Sequence, residues 1–179
     1  MKRKSIWLLW IAVILFCILL LLLEFSFAQY IDDYGENIQK LFAHPSFKYI
    51  FLIITNFMSV LGIVIIFVST AILLRKQKAK KEIILYIITV VVGFLLTNFI
   101  KVMIKRDRPA NMLLDVSGYS FPSSHSSVSM IVYGYLVLLI RKYYHGKRKS
   151  LYIFLCCLCI LLTGLSRVYF NVHYITDVF

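Results

Sequence analysis

Five long, charge-poor apolar runs govern what this chain can fold into: Ile6–Phe27, Ile50–Leu74, Ile83–Ile104, Ser126–Ile140 and Leu151–Leu165. A helix rises about 1.5 Å per residue, so about 20 residues cross a hydrocarbon layer about 30 Å thick. Inside that layer every backbone polar group must find its partner within the protein, which leaves helices or closed barrels. The first three runs are long enough for helices, and the last two need their polar flanks to complete a span. Composition agrees: 61% of the 179 residues are hydrophobic and only 16% are charged, far from the balance of a soluble domain. The expected fold class is all-α, a polytopic transmembrane helix bundle forming one domain over residues 1–179. Five spans are visible, with a short interfacial helix besides.

Orientation follows from Lys and Arg, which favour cytoplasmic loops. The clusters are Lys2-Arg3-Lys4, then Arg75, Lys76, Lys78, Lys80 and Lys81, then Arg141, Lys142, Lys147, Arg148 and Lys149. Each cluster is two runs from the next, so all three lie on one side. That side is the cytoplasm, and the N-terminus is inside. The formal charge of +12 therefore reads as topology and attraction to anionic headgroups. No aromatic–basic interleaving accompanies it, so no nucleic-acid partner is expected.

Lys2-Arg3-Lys4, an apolar run and Ser26-Phe27-Ala28 imitate a cleavable signal. The length of Ile6–Leu23 and the intervening Glu24 favour a retained first helix. Between the first two runs, Ile38, Leu41 and Phe42 recur at helical spacing within 29–46, which predicts a short amphipathic helix on the outer interface. Asp32 or Asp33 is placed to cap it, and it stops before Pro45. Tyr30, Tyr34, Tyr49, Tyr143 and Tyr144 suit an aromatic belt. Cys17, Cys156, Cys157 and Cys159 lie in apolar runs without zinc-type spacing, so no metal site is expected. Asn56 and Asn98 suit hydrogen bonds between helices.

The face opposite the cytoplasmic clusters breaks the charge trend. Lys101, Lys105, Arg106 and Arg108 stand there against only Asp107 and Asp115. Side chains reaching toward headgroups at a helix end account for Lys105 or Arg106 as readily as a ligand does. They do not account for Lys101, Arg108, His125, Arg167, His173 and Asp177 all falling on one membrane face. Charge is costly there, and a shared anionic ligand explains the set. Arg grips phosphate with a planar fork and Lys with a mobile point charge. Ser123 precedes an apolar run as a candidate cap, and the free N–H groups at such a helix start form an anion site. If residues 173–177 are helical, Asp177 reaches the ring of His173 at i, i+4, fixes its tautomer and frees the other nitrogen to attack.

Lys101-x6-Arg108-Pro109, Pro122-Ser123-Ser124-His125 and Ser166-Arg167-x5-His173-x3-Asp177 together resemble the three-part signature of the type 2 phosphatidic acid phosphatase superfamily. Small size and helix number resemble its bacterial integral-membrane branch, which includes phosphatidylglycerophosphatase B-like enzymes. The resemblance implies a metal-independent phosphatase without cofactors. In it His173 is the nucleophile, Asp177 its orienting carboxylate, and His125 the acid that protonates the leaving group and then activates water. Lys101, Arg108, Ser123, Ser124 and Arg167 bind the phosphate. The implied substrate is phosphatidylglycerophosphate or phosphatidic acid at the extracytoplasmic face, through a phosphohistidine. Undecaprenyl-pyrophosphate hydrolysis fits the same residues, as does a non-catalytic lipid-binding or transport protein using the same anion pocket. Two departures stand out: Ser124 occupies a position usually held by Gly, and the family continues into a sixth helix beyond where this chain stops at Phe179. The substrate's tails and the bilayer are the expected partners; oligomeric state is left open.

Overall fold

A computed structural model describes residues 26–42, 44–57, 60–76 and 78–178. The run Ile6–Phe27 and the question of signal cleavage fall almost wholly outside them. The described residues form seven helices: α1 (Ser26–Leu41), α2 (Pro45–Phe57), α3 (Val60–Lys76), α4 (Lys80–Ile104), α5 (Ser124–Tyr143), α6 (Lys149–Tyr169) and α7 (Ile175–Val178). No strand occurs among them. The architecture is the expected all-helical one.

The run Ile50–Leu74 falls on α2 and α3, with residues 58 and 59 between them outside the described residues. One element differs from expectation: the interfacial helix is already formed at Ser26, a turn and a half before Asp32. Asp32 is therefore no cap. It lies mid-helix, 6% exposed, and its carboxylate is spent elsewhere.

α4 and α6 are long and apolar enough to cross a membrane. Only 11% of the apolar window of α4 is buried, so this is not the core helix of a soluble protein. Phe94, Leu95, Leu96 and Phe99 stand exposed along it, which is stable only against hydrocarbon. The protein interior is formed where α5 meets its neighbours. Tyr133 of α5 and Cys156 of α6 form one buried cluster with Ile54 of α2 and Ile66 of α3. Val132 of α5, Ile63 of α3 and Tyr86 of α4 form a second. Gly93 lets α4 and α5 approach closely: a Cβ there would lie 2.2 Å from the Ile131 side chain. A third cluster, Tyr169, Phe170 and Val172 against Phe42, Phe51 and Leu114, fixes the end of α6 under α1, α2 and the α4–α5 connection.

That end of the bundle carries the polar chemistry. α6 closes with hydrogen bonds from Val172 N–H to Arg167 O (3.2 Å) and Asn171 N–H to Val168 O (2.9 Å). This is a Schellman termination with Asn171 in the left-handed region, at φ 50°. It reverses the chain and delivers His173 back beside Arg167. Lys105, at φ 53°, similarly ends α4 and turns the chain into the long connection to α5. That connection is pinned by Ser120 N–H to Arg106 O (2.7 Å) and Leu113 N–H to Phe170 O (2.9 Å).

Candidate active site

His173, Asp177 and Arg167 are 3%, 5% and 4% exposed. Burying such groups is costly unless each finds partners, and they do. Asp177 Oδ2 lies 3.4 Å from His173 Nδ1, accepts from Tyr174 N–H at 2.9 Å, and takes a very short hydrogen bond from the Ser120 hydroxyl. The i, i+4 contact is therefore made, although His173 itself precedes α7 and the segment is a turn followed by one short helix. Asp177 O also accepts from Ser123 N–H at 3.0 Å, tying the end of the chain to the start of α5.

The tautomer of His173 follows from its neighbours. Arg108 Nη1 stands 3.3 Å from Nε2, and a guanidinium can only donate. Nε2 thus carries the lone pair and Nδ1 the proton, shared between Asp177 Oδ2 and Ser120 Oγ at 3.5 Å. Burial pushes the imidazole down to about 4, against the opposing pull of Asp177, so the ring is neutral near pH 7. For Asp177, burial raises the carboxyl pKa, but the His173 hydrogen bond, the Arg106 charge and the Ser120 hydroxyl together hold it below the ordinary value. Burial also lowers Arg108 from the usual guanidinium range, with Asp177 opposing.

The cations converge from three segments. Arg108 is oriented by Gly118 O (2.8 Å) and Val172 O (2.6 Å). Lys101, in the last turn of α4, donates to Tyr119 O (2.8 Å) and Ser120 O (3.3 Å). Arg167 donates from Nη1 to Thr55 Oγ1 of α2 at 3.1 Å, while its buried Nε has no protein partner. Arg167, His173, Arg108 and Lys101 all lie within electrostatic reach of His125, in the first turn of α5. The two imidazoles therefore lie near each other and share the same cations.

Ser123 stands at the N-cap position of α5, yet its hydroxyl caps nothing. It accepts a hydrogen bond from Ser126 Oγ at 3.2 Å instead. The first N–H groups of α5 consequently keep free donor capacity. Ser124 and His125 also supply the polar lining of an apolar cavity of about 570 Å³ between α3, α4 and α5. Ile63, Phe67, Val91, Leu95 and Val128 form its walls.

All eight residues singled out in the sequence lie at this end of the bundle. Sequence reasoning missed Ser120, Thr55, Asp32 and Thr176. It left Arg106 open between headgroup and ligand, whereas Arg106 turns inward to Asp177 and Asp32, at 2.5 Å from each. Its position two residues before Arg108 was the available signal.

Three cations beside two histidines at one end of a membrane bundle define a class, and comparison with known proteins agrees. The PAP2 superfamily model matches residues 82–179, more than half of the chain. The chain belongs to the PAP2 superfamily, and it is a membrane protein. Phosphatidylglycerophosphatase B of Bacillus subtilis (strain 168) is 36% identical over 87 residues. That alignment covers 47% of this chain and 43% of the relative's length, so the chain spans less than half of that protein. The crystal structure of a transmembrane PAP2-type phosphatidylglycerolphosphate phosphatase from Bacillus subtilis superposes with a TM-score of 0.83. It is 25% identical, and the match covers 93% of this chain and 84% of that one.

Proposed function

We propose that this protein is a lipid phosphatase that hydrolyses the phosphomonoester of phosphatidylglycerophosphate or phosphatidic acid at the extracytoplasmic face, without a metal ion. The observation that carries this reading is the neutral Nε2 lone pair of His173 facing Arg108 at 3.3 Å, with Lys101, Arg167 and His125 around it. An anionic phosphate is drawn to such a pocket, and its phosphorus arrives beside a nucleophile.

In the first half-reaction His173 Nε2 forms a bond to phosphorus as the ester P–O bond breaks, and His125 gives its proton to the departing alkoxide. Asp177 balances the charge that appears on the imidazole. Arg108, Lys101 and the unpartnered Nε of Arg167, with Ser123 Oγ and the Ser124 N–H, hold the three equatorial oxygens. Ser124 keeps this backbone donor where Gly is usual. In the second half-reaction His125 accepts a proton from water, the hydroxyl attacks phosphorus, and the P–N bond breaks. Inorganic phosphate leaves and His173 is restored. The apolar cavity ending at His125 suits an acyl chain that stays in the membrane while the headgroup reacts. The second and third basic clusters lie at the other end of the bundle, and the preference of Lys and Arg for the cytoplasm supports a site on the outer face.

The test compares purified wild-type protein with His173→Ala on phosphatidylglycerophosphate, phosphatidic acid and undecaprenyl pyrophosphate in EDTA. Phosphate release from the monoesters, reduced about 1,000-fold or more by the substitution, is the expected result. Equal release by both proteins removes the nucleophile, and dependence on magnesium removes the metal-free mechanism. Preference for the pyrophosphate reassigns the substrate. Lipid binding with no turnover makes the protein a carrier.

A further inference from the structure

Asp177 has two oxygens, and His173 uses only one. The other, Oδ1, accepts from Arg106 Nη1 at 2.5 Å. Arg106 is held in turn from three sides: Nη2 donates to Asp32 Oδ2 of α1 at 2.5 Å, Nη1 also donates to Thr176 Oγ1 at 2.8 Å, and the Tyr174 ring lies 4.2 Å from its centre. Asp32 is itself anchored, its Oδ1 accepting from Thr176 N–H at 3.1 Å and Thr176 Oγ1 at 2.9 Å. None of these groups is among the residues assigned above to hold phosphate.

We propose that Arg106 and Asp32 are a positioning pair: Arg106 sets the plane of the Asp177 carboxylate against His173, and Asp32 locks Arg106 in place from the interfacial helix α1. This rests on the phosphatase reading above. Ser120, Tyr174 N–H and His173 all meet the carboxylate at Oδ2, which leaves rotation about that oxygen. One N–H of the Arg106 fork, donated to Oδ1 while the other end goes to Asp32, removes it. Asp32 offsets the Arg106 charge, so Asp177 keeps its own charge for the positive charge that develops on His173 during attack. By this linkage α1 is part of the catalytic apparatus rather than a connector.

The charged and titratable groups facing Asp177 are His173 and Tyr174 on its own segment, and Arg106 and Arg108 on the α4–α5 connection. Lys101 at the end of α4 and, behind Arg106, Asp32 on α1 complete the set. In wild type His173 sets the acid limb of the kcat/KM profile; removing the Arg106 cation lets Asp177 bind a proton more readily, so Asp177 comes to limit activity and the limb moves to higher pH.

The experiment measures kcat, KM and the pH profile for wild type, Arg106→Gln, Arg106→Lys, Asp32→Asn and the double variant Asp32→Asn/Arg106→Gln, using the full chain. Arg106→Gln is expected to lower kcat by up to about 100-fold with little change in KM, and to raise the acid limb. Arg106→Lys recovers part of the loss. Asp32→Asn also lowers kcat, and adding it to Arg106→Gln costs nothing more, since partners in one contact are not additive. An unaltered kcat, losses that add, or a lower kcat with an unmoved limb, as from a smaller folded fraction, overturns the pair. An active wild type with those results overturns the pair alone; a wild type that releases no phosphate overturns the parent reading and the pair with it.

Discussion

At the scale of residues, the site turns on which nitrogen of His173 keeps its lone pair. Arg108 at one nitrogen and the Asp177–Ser120 pair at the other decide that. Replacing Asp177 by Asn keeps the shape but offers an amide N–H toward Nδ1, so the proton shifts to Nε2 and the nucleophile is lost. A fall in kcat on the order of 1,000-fold is expected in steady-state phosphate release, with the folded protein retained. The pH dependence has a defined sign. In the proposed mechanism His173 must be unprotonated to attack, and burial takes it to about 4, so kcat/KM is expected to rise through that region rather than near the ordinary value of about 6.5. The unfolded chain accepts the His173 proton first. Stability contributed by this group is therefore present above about 6.5 and is lost as pH falls toward 4. A kcat/KM profile with its acid limb near 6.5 contradicts the assignment. The motif residues were legible because each is a polar group at the end of an apolar run. Ser120 and Thr55 were not, because nothing local distinguishes a serine or threonine that packs against a distant histidine or arginine.

At the scale of elements, the termination of α6 does the most. The reversal at Asn171 requires a positive φ, which Asn accepts more readily than other residues with a side chain. Its Nδ2 also donates to Asn111 O at 3.1 Å, bracing the α4–α5 connection. Asn171→Val is expected to lower stability by about 1–3 kcal/mol in thermal unfolding, since a β-branched residue is strained there. Asn171→Gly relieves the backbone and loses only the Asn111 contact. If both variants unfold alike, the turn is not under conformational control. The start of α5 was anticipated from Pro122-Ser123, but not that the Ser123 hydroxyl leaves the helix uncapped. Cap geometry depends on a side-chain torsion that spacing does not reveal. α1 was anticipated as amphipathic, and its start was misplaced because Asp32 resembles a cap while serving Arg106.

At the scale of the whole molecule, an apolar cavity reaches Ser124 and His125, and the cations lie near that same histidine. An enzyme that takes a phosphate from water and tails from the bilayer needs that junction. Val91 lines the cavity from α4 and is 49% exposed, so Val91→Trp fills it without opening the core. Turnover of long-chain phosphatidic acid is expected to fall about 10-fold or more, with a short-chain soluble phosphomonoester unaffected. Equal losses on both substrates contradict the cavity's role.

Sequence alone determined the helical class and picked out the polar residues that gather at one end of the bundle. Hydrocarbon tolerates only internally bonded backbone, and it makes every intramembrane charge conspicuous. Tertiary structure decided the partners: which oxygen of Asp177 faces His173, that Arg106 turns inward, and that Asp32 reaches Thr176 across 144 residues of chain. Such contacts depend on where α1, α6 and the α4–α5 connection pack together, a property of three-dimensional packing on which local hydropathy and spacing are silent.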